Sequence, residues 1–183
     1  MKAYLLDTNI ASALWDELDA DHPDALRFVT DVASIGGLVY VPRITIAEIE
    51  YGLKLYVSTD PARRAKAEVA MRAYKSIREV NKDTTEHYAT MRAELFRRYA
   101  PRDAKGRVKR VRPEQLIDKT TGQSLGIQEN DLWIAAIAVE HNMVLVTDDR
   151  MVRIQEVALN LTIAKWKRRP AMPSSSTPLL PGI

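Results

Sequence analysis

Apolar residues fall into two patterns along this chain: short solid runs, and longer stretches with helical spacing. The solid runs are Ala3–Leu6, Leu38–Val41 and Met143–Val146; Leu161–Trp166, interrupted by Thr162 and Lys165, reads as the last strand. Apolar runs without alternation, rich in Val, Ile and Leu, predict short strands buried on both faces. Helical spacing predicts helices from Ile10 to about Leu18, over Pro23–Ser34, over roughly Arg43–Tyr56, over Ala62–Val80, from Thr84 to about Arg98, and over Gln128–Asn142. The breaks carry turn or cap chemistry. Thr8 and Asn9 precede the first helix, Gly36-Gly37 ends the second, and Pro42 opens the third. Asp60 is a cap before Pro61, and Asp83 or Thr84 caps the helix after the Asn81–Asp83 break. Strands alternating with helices predict an α/β fold with a mainly parallel sheet.

With 183 residues and a mass of 20.7 kDa, the chain is expected to form one domain over 1–169. Residues 170–183 are rich in Pro and Ser and are expected to be a flexible tail. No apolar run approaches the roughly 18 residues of a membrane span, and the first residues lack a charged-then-apolar signal pattern. The chain contains no cysteine, which excludes disulfides and thiolate metal sites and fits a cytoplasmic setting. An acidic group, Asp16, Glu17, Asp19, Asp21 and Asp24 around His22-Pro23, reads as a solvated helix junction.

Net charge is only +3, but it is unevenly spread. Between Arg97 and Arg112 lie eight basic residues (Arg97, Arg98, Arg102, Lys105, Arg107, Lys109, Arg110, Arg112) and one acid, Asp103, a local charge of +7. Pro101, Gly106 and Pro113 forbid a continuous helix there, so 100–127 reads as an extended loop or flap. Such a charge density suits a phosphate backbone, and the lack of aromatic residues within 100–127 argues against base stacking.

Four acids stand out by their settings. Asp7 ends the first strand, and Asp148 and Asp149 follow Thr147 at the end of a later one. Glu48 lies in a helical stripe with Ile44, Tyr51, Gly52 and Leu55, whereas Glu50 pairs with Lys54 on the solvated face. Gly52 reads as a place of close approach. Asp131, in the first turn of its helix, shares a face with Ala135 and Ala138, small residues that let that helix lie close to a sheet. His87 reads as a lone helical histidine. In parallel sheets, ligands bind beyond the carboxyl ends of strands, so these acids can converge at one edge. Clustered carboxylates repel unless protonated or offset by a cation. With no His or Cys beside them, the chemistry favours Mg²⁺ or Mn²⁺ over zinc, and with it phosphodiester hydrolysis. No Ser-His-Asp set, Walker loop or G-x-G-x-x-G accompanies them.

Leu5-Leu6-Asp7-Thr8-Asn9, Ile46-Ala47-Glu48-Ile49 with Gly52, Asn130-Asp131 with Ile134-Ala135-Ala136, and Val146-Thr147-Asp148-Asp149 occur in this order. Together they resemble the signature stretches of PIN-domain nucleases, and in particular VapC-type toxins of type II toxin–antitoxin modules. The resemblance covers about 1–60 and 127–166; the basic insert and the tail depart from it. It implies an α/β/α sandwich with a sheet of about four or five strands, a Mg²⁺- or Mn²⁺-dependent endoribonuclease, a homodimer and an inhibiting antitoxin. Asp7, Glu48 and Asp131 match the family's acidic residues. The fourth acid is Asp148 or Asp149; the family's T-x-D pattern selects Asp149, with Thr147, Asn9 and Asp148 as supporting residues. Asp7, Asp131 and Asp149 are then the metal ligands, and Arg102, Lys105, Arg107, Lys109, Arg110 and Arg112 the RNA-binding cations.

Two other function classes compete. A non-catalytic RNA- or partner-binding module could keep the same fold without needing a metal. A phospho-accepting receiver needs paired acids after the first strand, and the related phosphatases need D-x-D; Asp7-Thr8-Asn9 supplies neither.

Overall fold

In the computed structural model of the chain, residues 1–55, 61–73, 75–77, 80–149 and 151–167 are described. Five strands form one sheet: β1 (Ala3–Leu6), β2 (Leu38–Pro42), β3 (Lys75–Ile77), β4 (Val144–Val146) and β5 (Thr162–Ala164). Every neighbouring pair is parallel, and the order is β3-β2-β1-β4-β5. The chain winds outward from β1 to β3, then returns to the other side of β1. Strand order therefore reverses between β1 and β4, and a crevice opens beyond their carboxyl ends.

The period of two along each strand explains the solid apolar runs. Leu6, Val41 and Val146, with Tyr4 and Val39, face α1 (Thr8–Trp15), α2 (His22–Ser34), α3 (Arg43–Leu55) and α4 (Pro61–Ala73). Leu5 and Leu145, with Tyr40 and Ile163, face α5 (Lys82–Tyr99), α6 (Glu129–Glu140) and the short α7 (Val152–Gln155). Neither side of a central strand can be polar, because each lies under a helical layer. The result is the expected α/β/α sandwich. Among the described residues no helix is long and apolar enough to cross a membrane.

Several local expectations change. The helix expected over Ala62–Val80 ends at Ala73, and Lys75–Ile77 pairs with β2 through Tyr40↔Lys75, Val41↔Ser76 and Pro42↔Ile77. An edge strand has one neighbour and needs no solid apolar run, so its pattern gives no signal, and pairing overrides the helix-forming composition before it. α1 starts at Thr8, two residues early, because Asp7 itself caps it by accepting from the Thr8 amide at 2.7 Å. It ends at Trp15, short of Leu18. The cap of α5 is Asn81, which accepts from the Asp83 and Thr84 amides while Thr84 Oγ1 accepts from the Asn81 amide. Gly37 is required where β2 begins, since a Cβ there would lie 2.7 Å from Val32 Cγ1. Of the acids at the junction only Glu17 is exposed, while Asp16, Asp19, Asp21 and Asp24 are half-buried, with Asp24 paired to Arg27, Glu17 to Lys66 and Asp21 to Lys167. Asp60, Tyr56, Arg168, Arg169 and the 170–183 tail lie outside the described residues.

The segment 100–127 is not a free flap. It makes two turns, closed by bridges between Arg102 and Val108 and between Ile117 and Ser124. In the first, Asp103 Oδ1 accepts from the Lys105 and Arg107 amides at 2.9 Å each, and Gly106 supplies the left-handed position at φ 76°. In the second, Asp118 accepts from the Thr120 and Thr121 amides and from Arg153 of α7. Pro113, Leu116 and Ile127 are buried, so apolar burial fixes what the prolines and charges suggested was loose.

Candidate acidic active site

The site grows from the sheet ladder at the switch point. Leu6 and Val146 are in register, and the Asp7 amide bonds to Val146 O at 3.0 Å, so Asp7 and Thr147 emerge side by side. Asp7 is 3% exposed and Thr147 0%. Thr147 Oγ1 donates to Asp7 Oδ2 at 2.6 Å and accepts from the Asp149 amide at 3.0 Å. Asn9, one residue into α1, spans the gap. Its Nδ2 donates to Thr147 Oγ1 and Asp149 Oδ2 at 3.1 Å each, and to Asp7 Oδ2 at 3.3 Å. Its Oδ1 accepts from Trp166 Nε1 at 3.1 Å, which fixes the direction of the amide. Asp149, rather than Asp148, therefore joins Asp7; Asp148 instead contributes to raising the pKa of Lys167.

Two helices bring the other acids. Glu48 on α3 accepts from Thr8 Oγ1 through Oε2, and from Asn130 Nδ2 of α6 through Oε1 at 2.7 Å. Buried Thr45, one turn earlier on α3, lies 3.3 Å from Thr8 Oγ1. Asp131 accepts from the Gln128 amide through Oδ2 at 2.7 Å, closing a capping box that ties its rotamer to the start of α6. Ala135 and Ala138 behind it are buried, as the close approach of helix and sheet requires. The stripe expected around Glu48 is not a packed one. Tyr51 is 66% and Leu55 56% exposed, and a Cβ on Gly52 would meet nothing within 4 Å. Instead Gly52 and Glu48 border a cavity of about 290 Å³ shared with Thr8, Trp15, Ile49 and Leu53. Helical spacing brought Tyr51 and Leu55 near Glu48 on α3 but did not bury them.

Charge repulsion marks the centre. The Asp131 carboxyl is pushed up to about 7, first by burial and then by Asp7, Asp149 and Glu48. Asp7 is raised too, mainly by burial, against the bonds from Thr147 and the Thr8 amide that favour its charge. Among the described residues no Lys or Arg forms an ion pair with Asp7, Glu48, Asp131 or Asp149. Lys165 reaches only the Asp149 carbonyl, at 2.6 Å. An all-oxygen set with uncompensated negative charge fits a hard divalent cation. Among the described residues no three His, Cys, Asp or Glu side chains are grouped closely enough to hold a metal ion by themselves.

The basic insert adjoins this centre. Glu114 accepts from the Glu129 amide at 3.0 Å, two residues before Asp131. Arg102 is used on the Gly106 carbonyl and Arg107 on Asp103. Lys105, Lys109, Arg110 and Arg112 are exposed, and among the described residues none forms an ion pair. His87 lies elsewhere, beside a cavity with Met91 and Val139. Thr45 and Trp166 belong to the network although their sequence settings marked neither as functional, and Asn130 belongs to it although its signature stretch assigned a role only to Asp131. Asn130 adjoins a singled-out acid, but Trp166 follows β5 with no local signal.

The family model for the PIN domain matches residues 4–158. The chain belongs to the PIN-domain family. A search of curated proteins by sequence finds no match. Among solved structures, this PIN domain is similar to a chain of VapBC2 from Rickettsia felis, solved bound to a DNA fragment from its promoter, with TM-score 0.63 and 21% identity over 90% of this chain and 99% of that one. A chain of VapBC-1 from nontypeable Haemophilus influenzae gives TM-score 0.56 and 21% identity over 90% and 98%. A chain of VapBC-5 from Mycobacterium tuberculosis, a member of the VapBC family of toxin–antitoxin systems, gives 0.52 and 23% over 90% and 99%. At these identities the likeness is one of fold.

Proposed function

We propose that this PIN domain is a Mg²⁺- or Mn²⁺-dependent endoribonuclease and the toxin of a toxin–antitoxin pair. The observation that carries the reading is the meeting of Asp7, Glu48, Asp131 and Asp149 at the switch point, with two raised carboxyls and no basic partner among the described residues. Asp7, Asp131 and Asp149 hold the ion, and Glu48 orients water or completes the set. Thr147 and Asn9 hold Asp7 and Asp149 in place, and Asp148 stands outside that network. The ion, when bound, activates water and stabilises charge on the phosphoryl oxygens. Lys105, Lys109, Arg110 and Arg112 grip the RNA backbone, with Arg102 and Arg107 shaping the turn that presents them.

The likeness to VapBC chains supports an antitoxin partner; the homodimer and the cytoplasmic setting are part of the same reading and rest on the resemblance of the sequence motifs and on the absence of cysteine. The folded unit is 1–169. Purified protein incubated with a mixed RNA pool should yield fragments with Mg²⁺ or Mn²⁺ and none with EDTA. Retarded but intact RNA under every condition would replace the nuclease with a binding module.

A further inference from the structure

We propose that Glu114, in the basic insert, is a positioning residue for the acidic centre. This rests on the metal-site reading above. Asp131 is delivered by the first turn of α6, and three neighbouring segments hold that turn. From α3, Glu48 accepts from Asn130 at 2.7 Å. From α5, Arg92 Nη1 bonds Glu129 Oε1 at 2.8 Å and the Tyr88 hydroxyl donates to the same oxygen. The Tyr88 ring stacks on Trp133, one turn further along α6, with centroids 3.7 Å apart and planes 4° from parallel. From the insert, Glu114 Oε1 accepts from the Glu129 amide at 3.0 Å.

The Glu129 amide is one of the donors that a helix start leaves without a partner inside the helix. The cap side chain of α6 does not take it: Gln128 is the cap, and Asp131 takes the Gln128 amide. Glu114 supplies the acceptor from outside, and its charge suits the positive end of the helix dipole. Pro113 and Leu116, on either side, are buried, so the Glu114 backbone is anchored rather than hanging from a loop. The far turn of the insert is anchored in turn by Arg153, which also bonds Glu156 at 2.6 Å. The insert thus does two things: it displays cations, and through Glu114 it fixes the helix start that sets Asp131. Removing the Glu114 carboxyl loosens that start while leaving every acid of the centre in the chain.

The test compares wild type, Glu114→Ala and Glu114→Gln by amide hydrogen exchange over 128–131 and by Mn²⁺ titration calorimetry. Glu114→Ala should speed exchange of the Glu129 amide and weaken Mn²⁺ binding about fivefold, the scale of a lost helix cap. Glu114→Gln keeps an acceptor oxygen and should restore most of both. Unchanged exchange in Glu114→Ala overturns the proposal. Faster exchange with wild-type Mn²⁺ affinity also overturns it, because the clamp would then be structural only. If wild type binds no Mn²⁺, the metal reading fails separately, and the exchange comparison alone decides whether Glu114 holds the turn.

Discussion

At the scale of single residues, the site depends on which carboxylates are charged. Asp131, at about 7, holds a proton more tightly than its ordinary value of 3.8. The folded state therefore binds more protons than the unfolded state between those values. Its contribution to stability is lost as pH rises through that window, and is constant above about 7. A bound cation needs the carboxylate, so the sign for metal binding is opposite: Mn²⁺ affinity should fall about tenfold per pH unit below 7. Titrations at several pH values check this, and Asp131→Asn should flatten the slope, leaving the part due to Asp7, along with the loss of most of the affinity. Thr147 is a second residue with a sharp expectation. Its buried hydroxyl both donates to Asp7 and accepts from the Asp149 amide. Thr147→Val keeps the shape but removes these two bonds and the one from Asn9; groups that orient metal ligands are worth about 10–100-fold in metal affinity or activity. Calorimetry and initial rates on the same preparation would show whether the two fall together.

At the scale of elements, Asp7, Asp131 and Asp149 were legible because each follows a strand end or sits at a helix start, where local sequence has a strong signature, whereas Glu48, in the middle of α3, stood out only by the apolar residues spaced around it. The residues that orient them were not. Trp166 meets Asn9 across 157 positions, and Glu48 meets Asn130 across 82, so no window contains both partners. The insert was legible as a charged loop, but not as a loop pinned to the core. Its buried anchors, Leu116 and Ile127, are isolated apolar residues without periodicity. β3 was lost inside a helical composition for the same reason that edge strands often are: one neighbour is enough to define them. The insert carries its own prediction. Replacing Lys109, Arg110 and Arg112 together by Gln should weaken RNA binding and lower the slope of log affinity against log salt by about 2, since each neutralised single-strand phosphate contributes about 0.7. Fluorescence anisotropy across a salt series measures it, and catalytic turnover at saturating RNA should change far less than KM.

At the scale of the whole molecule, function follows from where the winding reverses. β1 and β4 are sequence-distant neighbours, and their next residues, Asp7 and Thr147, are thereby adjacent. Leu145 and Leu5 under one helical layer, and Leu6 and Val146 under the other, hold that pair of strands in register. Leu145→Ala should cost about 2–5 kcal/mol in urea unfolding, and a shifted register would move the acids with it. Fold class and the parallel sheet followed from alternation alone; the sheet's order depends on long-range pairings that no local pattern encodes. The account as a whole rests on Asp7 acting with a divalent ion on RNA. The most direct measurement is RNA cleavage at saturating Mn²⁺ by wild type and Asp7→Asn side by side, with circular dichroism showing both folded. Cleavage by wild type, reduced at least about 100-fold in Asp7→Asn, is the predicted result. Equal cleavage by the two folded proteins would contradict it.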